Sequence, residues 1–181
     1  MTGPAEPARR LFFAFWPDDA TREAMARASR KAVRGSGGRP VPASNLHVTV
    51  AFLGPVADSR LPALEAVARG IACGSLELAF DGVAFWPRPQ VLVATCSEPP
   101  PLAAALAARL WSGLVPLGIR ADLRPFAPHV TLARKVRKPA AGLSLRPVHW
   151  PVTDLALVES VTDPAGARYR ILARWPLSGT A

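Results

Sequence analysis

The sequence has few of the residues that mark disulfide-rich or metal-binding proteins. Its two cysteines, Cys73 and Cys96, lack Cys-x-x-Cys spacing and are too few for a disulfide scaffold, so we expect both to be reduced core residues. Its three histidines are His47, His129 and His149, and no cluster of carboxylates and histidines has the spacing of metal ligands. We therefore expect no disulfide framework, no metal site and no cofactor.

Long hydrophobic runs are also absent. The apolar segment 11–16 is only six residues long, which is too short for the core of a signal peptide. The longest apolar stretch, 102–118, is interrupted by Arg109 and Pro116 and falls short of a membrane span. Together with the low cysteine content, this predicts a cytoplasmic protein without a membrane partner.

Positive charge exceeds negative charge across the chain. The 181 residues include 22 Lys and Arg against 13 Asp and Glu, a formal net charge of +9. Such an excess favours polyanionic partners such as RNA over acidic proteins or neutral metabolites. The length and the 50% apolar content predict one folded domain over 9–181, preceded by a disordered tail over 1–8. No obligate protein partner is evident, and we expect a monomer.

One tetrapeptide pattern occurs twice, as His47-Val48-Thr49-Val50 and His129-Val130-Thr131-Leu132. Both copies lie in apolar, β-branched segments, which predict strands. In a strand, side chains at i and i+2 share a face and their anchors are about 6.6 to 6.8 Å apart. Each strand therefore presents one imidazole and one hydroxyl, and two such strands side by side would form a cleft with two of each.

This set of groups suits a phosphodiester. Opening the ester needs a base for the attacking oxygen and an acid for the leaving oxygen, and histidine can serve as either near neutral pH. The hydroxyls of Thr49 and Thr131 can donate hydrogen bonds to the phosphate oxygens, so this chemistry requires no metal. A single His-x-Thr is more often structural than catalytic. His149, which has no threonine two positions later, keeps the structural interpretation.

The order of the elements predicts an α+β fold. The strands are expected at 11–15, 46–53, 76–84, 90–96, 130–133, 152–160 and 168–175, and the helices at 20–33, 59–71 and 102–115. Most strands follow one another without an intervening helix, which favours antiparallel sheets over a doubly wound fold. We expect a flexible basic loop over 35–42, a rim loop over 85–89 in place of a tight hairpin, and a turn over 163–166. The two motifs, 82 residues apart, suggest two related lobes around a central cleft.

The motif segments also resemble a known family. The segments 10–14 (RLFFA), 45–54 (NLHVTVAFLG) and 125–134 (PFAPHVTLAR) are similar in order and spacing to the two-histidine (2H) phosphoesterase superfamily. Within it they resemble the branch of RNA 2′,3′-cyclic phosphodiesterases, once called 2′-5′ RNA ligases. The resemblance covers nearly all of the chain.

The resemblance implies a bilobal α+β fold with pseudo-twofold symmetry, helices on the outside and one motif on each lobe. It implies that His47 donates a proton to the leaving 3′ oxygen and that His129 accepts a proton from water. Thr49 and Thr131 would bind the phosphate, and the product would be a 2′-phosphate. Weak reverse activity, joining RNA ends through a 2′-5′ bond, is also expected.

Three further residues have competing interpretations. Arg134 is a candidate substrate contact, but ideal alternation would place it on the face opposite His129 unless the strand ends or bulges there. Phe126 and Trp86 could stack on a base, although core packing is favoured for each.

The function also has alternatives. The chain could be a 2H-type esterase for a small cyclic nucleotide phosphate, or an RNA-end binder without activity. A metal-dependent phosphatase is disfavoured because the sequence has no ligand cluster.

Overall fold

The computed structural model describes residues 6–71, 74–122, 124–163 and 166–177. Within these residues the strands are β1 (Ala8–Phe15), β2 (Arg39–Pro40), β3 (Val48–Ala57), β4 (Leu76–Phe80), β5 (Gly82–Trp86), β6 (Val91–Thr95), β7 (His129–Arg134), β8 (Val148–Val152), β9 (Asp154–Asp163) and β10 (Gly166–Pro176). The helices are α1 (Asp19–Gly35), α2 (Leu61–Arg69) and α3 (Pro101–Leu114), with short 3₁₀ turns at Ala43–Asn45, Asp58–Arg60 and Val115–Leu117.

The two motif strands lie in different antiparallel sheets. One sheet has the strand order β10-β9-β1-β3, the second β2-β7-β6-β5, and a small third sheet pairs β4 with β8. All of these pairings are antiparallel, so the predicted α+β class is confirmed. Strands β3 and β7 contact each other across the boundary between their sheets, which brings the two motifs together.

The two lobes do not correspond to the two halves of the chain. The sheet of the first motif is completed by β9 and β10, and Leu11 of β1 pairs with Glu159 of β9. The sheet of the second motif receives β2, whose Arg39 pairs with Arg134 of β7. Each lobe therefore contains strands from both halves of the described chain.

Local sequence explains the helices that cover these sheets. Asp18 caps α1, because its side chain accepts a hydrogen bond from the Thr21 backbone N–H at 2.7 Å. Met25 and Ala32 form part of the buried stripe of α1, while α3 begins at a proline and buries its leucine stripe. One hydrophobic core includes side chains from these helices and from all three sheets.

The structure corrects the predicted N-terminal tail. Strand β1 begins at Ala8, and the preceding residues are bonded to the 3₁₀ turn after β3. The Pro7 carbonyl accepts a hydrogen bond from the Asp58 N–H at 3.1 Å, and the Glu6 carboxylate accepts one from the Ser59 N–H at 2.7 Å. The predicted tail is therefore too long, and its first five residues lie outside the described chain.

The predicted rim loop over 85–89 is also wrong. Strands β5 and β6 form a tight hairpin, with Trp86 paired to Val91. The Gln90 N–H donates to the Pro87 carbonyl at 3.3 Å, and Gln90 adopts a left-handed conformation with φ of 54°. Because Pro87 and Pro89 lie in the turn and not in either strand, they remove no hydrogen bond from the ladder between β5 and β6.

The basic segment 35–42 contains a short strand where a flexible loop was predicted. A Cβ at Gly38 would stand 2.7 Å from the Arg134 carbonyl oxygen, so a glycine is needed for this close approach. Strand β2 then pairs Arg39 with Arg134. The segment is thereby fixed beside the second motif strand.

The remaining sequence predictions concern the cysteines, a turn and a membrane span. Cys96 is a free, half-buried thiol packed against the core, and burial raises its pKa to about 11. Cys73 and the centre of the turn predicted at 163–166 lie outside the described residues. None of the described helices is long and apolar enough to cross a membrane.

Candidate active site

Both motif strands have the same irregularity directly after the threonine. In β3, Thr49 pairs with Ala14 and Ala51 pairs with Phe13, so the residue between Thr49 and Ala51 is an extra, bulged residue. In β7, Thr131 pairs with Val93 and Ala133 with Leu92, which leaves one extra residue at the equivalent position. The burial sequence over 47–52 is the same as that over 129–134. The repeated tetrapeptide therefore forms the same bulged strand twice.

The two imidazoles are held in the same way. The Nδ1 atom of His47 lies 2.7 Å from the Asn45 carbonyl oxygen, and Nδ1 of His129 lies 2.8 Å from the Ala127 carbonyl oxygen. A carbonyl oxygen only accepts, so Nδ1 carries the proton in both rings. The Nε2 atom of each ring is then unprotonated in the neutral form and can accept or, after protonation, donate a proton.

His47 is enclosed by aromatic rings. Trp16 stacks on it with a centroid distance of 5.3 Å and an interplanar angle of 8°. Phe12 and Tyr169 lie with their centroids 5.0 Å from the imidazole, and Tyr169 presents a T-shaped contact. These rings belong to a second, small apolar cluster on the first sheet, which fixes the imidazole plane.

Burial lowers the pKa of His47 to about 4. The charges of Arg134 and His129 act in the same direction, whereas the hydrogen bond to the Asn45 carbonyl opposes them. His47 is therefore neutral in the free protein at pH 7. The influence of Arg134 and His129 on it is also evidence that the two motifs share one electrostatic environment.

His129 has a different neighbourhood. The Trp86 ring lies 4.5 Å from it at a tilt of 56°, and this is its one ring contact among the described residues. Burial lowers the pKa of His129, Arg124 lowers it further, and the hydrogen bond to the Ala127 carbonyl opposes both. Arg124 is itself bonded to Asp122 at 2.6 Å, so much of its charge is compensated.

Each histidine opens into a cavity that contains the threonine of the other motif. The His47 cavity has a volume of about 730 Å³ and includes Thr131, while the His129 cavity has about 880 Å³ and includes Thr49. This crossed arrangement requires the two motif strands to face each other across one cleft. The structure thus brings together the four residues that the sequence pattern selected.

Arg134 lies on the same face as the motif residues. The bulge after Thr131 shifts the alternation by one residue, so Leu132 and Ala133 are both buried and Arg134 is exposed. Arg134 lines the His47 cavity together with Thr131. Ideal alternation would have placed it on the other face, and the bulge is the reason why it does not lie there.

The preference for core packing at Trp86 is wrong, because its ring contacts His129 and lines that cavity. Phe126 packs against the core and also lines the His129 cavity. His149 lies on β8, where its Nδ1 is 2.9 Å from Glu77, and it lines neither of the two cavities. Its structural interpretation agrees with this position.

Sequence reasoning missed the aromatic enclosure of His47. Phe12 and Trp16 are four residues apart on β1 and its extension, so they share a face with Ala14, and this alternation was a usable signal. Tyr169 gave no such signal, since it comes from β10, more than a hundred residues away from His47 in the chain.

A sequence profile described as "2′-5′ RNA ligase superfamily" matches residues 17–164. The chain belongs to this superfamily. The family predicted from the paired motifs is therefore confirmed.

Members of the superfamily with similar sequences cover nearly the whole chain. The RNA 2′,3′-cyclic phosphodiesterase of Escherichia coli is 34% identical over 96% of this chain and 99% of its own length. The protein of the same name from Thermus thermophilus is 33% identical over 94% of this chain and 91% of its own. The crystal structure of E. coli LigT complexed with 3′-AMP has a TM-score of 0.84 at 32% identity, covering 94% of this chain and 99% of that one.

Proposed function

We propose that this protein is an RNA 2′,3′-cyclic phosphodiesterase that opens a terminal cyclic phosphate to a 2′-phosphate. The observation that supports this most directly is the crossed pair of motifs, in which each cavity holds one imidazole and the hydroxyl of the opposite strand. Relatives that match over more than nine-tenths of this chain are named for the same activity.

The charge of the two cavities supports different roles for the histidines. The leaving 3′ oxygen belongs to the nucleoside from which the RNA chain extends, so the leaving side is polyanionic. Four cationic side chains line the His47 cavity: Arg39, Arg134, Lys135 and Arg168. These side chains can bind the phosphates of the RNA backbone. Because the leaving oxygen belongs to the same side of the substrate, His47 is the histidine that lies beside it.

The His129 cavity suits the opposite side of the phosphorus atom. Its arginine is paired with Asp122, and aromatic side chains form much of its wall. A water molecule held there can lose its proton to Nε2 of His129 while it attacks phosphorus. The bond from phosphorus to the 3′ oxygen then breaks, and that oxygen takes the proton of His47. Thr49 and Thr131 donate to the non-bridging oxygens, where negative charge accumulates.

His47 must gain a proton before it can act as the acid. With a pKa of about 4 it is neutral in the free protein at pH 7. A bound phosphate anion favours the charged form of a neighbouring imidazole, so substrate binding raises this pKa. We expect substrate binding to be coupled to proton uptake, and no metal or cofactor takes part in these steps.

The test is incubation with an RNA oligonucleotide that ends in a 2′,3′-cyclic phosphate, with EDTA present. A 2′-phosphate product that forms at an undiminished rate supports both the reaction and its independence of metal. A 3′-phosphate product would exchange the roles of His47 and His129, and an unchanged cyclic end would contradict the proposal.

A small cyclic nucleotide phosphate is the second candidate substrate. The aromatic walls of the His129 cavity and the size of both cavities favour it, since either volume can hold a nucleoside. Substrate length and salt dependence separate the two, because a mononucleotide reaction should respond little to ionic strength.

We also propose that the protein acts as a monomer in the cytoplasm, which size-exclusion chromatography and cell fractionation would test.

A further inference from the structure

We propose that a second cationic groove, formed by α1 and the segment before β8, binds the backbone of the RNA upstream of the reacting end. This inference rests on RNA being the substrate. The groove has a volume of about 710 Å³ and contains none of the motif residues. Its cationic residues are Arg27, Arg30, Lys31, Arg34 and Arg146.

The helix arranges its cations on one stripe. Arg27, Arg30, Lys31 and Arg34 follow the spacing i, i+3, i+4, i+7, which places them along one side of α1 over about 10 Å. Arg146 faces this stripe from the opposite wall, because α1 packs against β8. Like charges at these spacings disfavour the helix, and a bound polyanion would remove that repulsion.

Most of these cations have no anionic partner. Among the described residues, Arg30, Lys31, Arg34 and Arg146 form no ion pair and no side-chain hydrogen bond, whereas Arg27 is bonded to Glu23 at 3.1 Å. Several arginines elsewhere are paired with carboxylates: Arg9 with Asp58, Arg69 with Glu65, Arg124 with Asp122, Arg170 with Glu159, and Arg174 with Asp154. The groove is therefore a local concentration of the +9 excess charge.

The groove lies close to the His47 cavity. Arg34 belongs to the groove and Arg39, five residues later, lines that cavity, so the two Cα atoms are at most about 17 Å apart. A stacked strand advances about 3.4 Å per phosphate, so roughly five nucleotides span this distance. An RNA whose 3′ end occupies the cleft can thus reach the groove with its upstream phosphates.

The lining of the groove indicates what it recognises. Arginine, lysine and serine side chains supply donors for phosphate, while Ala24, Ala28, Pro147 and Val148 supply small apolar surface. No phenylalanine, tyrosine or tryptophan lines it among the described residues, and its one imidazole, that of His149, is bonded to Glu77 at 2.9 Å, so base stacking is limited to that ring. The groove should therefore bind single strands by their backbone and without base preference.

The test compares two triple variants that remove the same charge. One is Arg30→Gln/Lys31→Gln/Arg146→Gln in the groove. The other is Arg69→Gln/Arg109→Gln/Arg120→Gln, whose residues line neither the groove nor the two cavities. The substrates are a dinucleotide and a 20-nucleotide RNA, each with a 2′,3′-cyclic phosphate, and thermal melting checks that both variants fold.

We expect the groove variant to lower the ratio of kcat/KM for the long RNA to kcat/KM for the dinucleotide at least tenfold. Its slope of log affinity against log salt for the long RNA should fall by about 2, since each lost phosphate contact on a single strand removes about 0.7. The control variant should keep the parent ratio. An equal loss in both variants, or no loss in the groove variant, would overturn the proposal.

Measuring RNA binding without turnover distinguishes a failure of the groove proposal from a failure of the proposed function. Fluorescence anisotropy with a 20-nucleotide RNA that ends in a 3′-phosphate measures RNA affinity, and the difference between the groove variant and the control variant gives the contribution of the groove. If the parent hydrolyses no cyclic phosphate but the groove variant still binds this RNA less tightly than the control, the proposed function fails and the groove stands. Groove-dependent capture of phosphatidylserine vesicles with unchanged RNA affinity would overturn the proposal in favour of a membrane surface.

Discussion

The two motif strands have the same backbone and different surroundings. His47 lies among three aromatic rings and beside a cavity with four cationic side chains, while His129 contacts Trp86 and opens into a cavity lined by four phenylalanine and tryptophan side chains. The hydrogen bond from Nδ1 to the carbonyl two residues earlier is the same in both. A duplicated strand thus supplies two equivalent nitrogens in different surroundings, and the proposed mechanism assigns proton donation to one and proton acceptance to the other.

The same contrast appears five residues after each histidine. The bulge places Phe52 of β3 and Arg134 of β7 at equivalent, exposed positions, and each lines the cavity of the other motif's histidine: Phe52 the His129 cavity and Arg134 the His47 cavity. Arg10 lies over the Phe52 ring, 4.8 Å from its centroid. The repeated backbone therefore determines the position of the side chain, and the residue type determines whether that position can bind an anionic group.

The largest expected effect is the loss of either motif histidine. His47→Ala and His129→Ala should each lower kcat by about 10² to 10⁴, whereas His149→Ala should not change it. A substrate with sulfur in place of the 3′ oxygen needs less help from an acid. Single-turnover rates on this substrate should recover in His47→Ala and remain low in His129→Ala, and the opposite pattern would reverse the assigned roles.

The threonines test whether the phosphate lies midway between the strands. Thr49→Val and Thr131→Val should each lower kcat by about 10² to 10³, because each removes one donor to a developing negative charge. Thr49→Ser and Thr131→Ser keep the hydroxyl and should retain most of the rate. If only one of the two valine variants loses activity in single-turnover measurements, the phosphate is held by one motif alone.

The pH dependence of stability tests the burial of His47. Its pKa of about 4 in the folded protein lies below the ordinary value of 6.5, so its contribution to stability is complete above about pH 6.5 and is lost as the pH falls through 4. Between about pH 7 and about pH 4, the unfolding free energy of the parent should fall by about 3 kcal/mol more than that of His47→Gln. Urea unfolding at several pH values measures this, and parallel curves would contradict it.

The smallest effect concerns the equivalent pair Arg134 and Phe52. Arg134→Gln should weaken binding of a long RNA several-fold and lower its salt slope by about 0.7, because one phosphate contact is lost. Phe52→Leu should leave the salt slope as it is, and Arg69→Gln is the control for charge. Anisotropy titrations at several salt concentrations measure these slopes, and an equal slope change in Arg134→Gln and Arg69→Gln would remove Arg134 from the site.

Patterns within single strands were predictable from the sequence. Alternation placed His47 with Thr49 and His129 with Thr131 on shared faces, and the repeat of this pattern indicated the cleft. A β-bulge has no such pattern in the sequence. The face on which Arg134 lies could therefore be predicted only on the condition that the strand ends or bulges there. The prolines of the segment 85–89 predict a loop, whereas they occupy only the hairpin turn, and the contact of Trp86 with His129 joins two strands that no local pattern links.

Contacts between distant segments were not predictable. Tyr169 and Arg168 reach the His47 cavity because β9 and β10 join the sheet of β1, and no local pattern links these strands. The two-residue strand β2 is likewise defined only by its pairing with β7. These features depend on tertiary packing, which a window of neighbouring residues does not contain.

The pairing of Leu11 with Glu159 also has a consequence for biosynthesis. During translation β1 leaves the ribosome well before β9, at a synthesis rate of about 5 to 20 residues per second. For several seconds the growing chain has both motif histidines but lacks the strands that bring Arg168 and Tyr169 to His47. We therefore expect a nascent chain to be inactive on RNA ends near the ribosome until the last strands have closed the sheet.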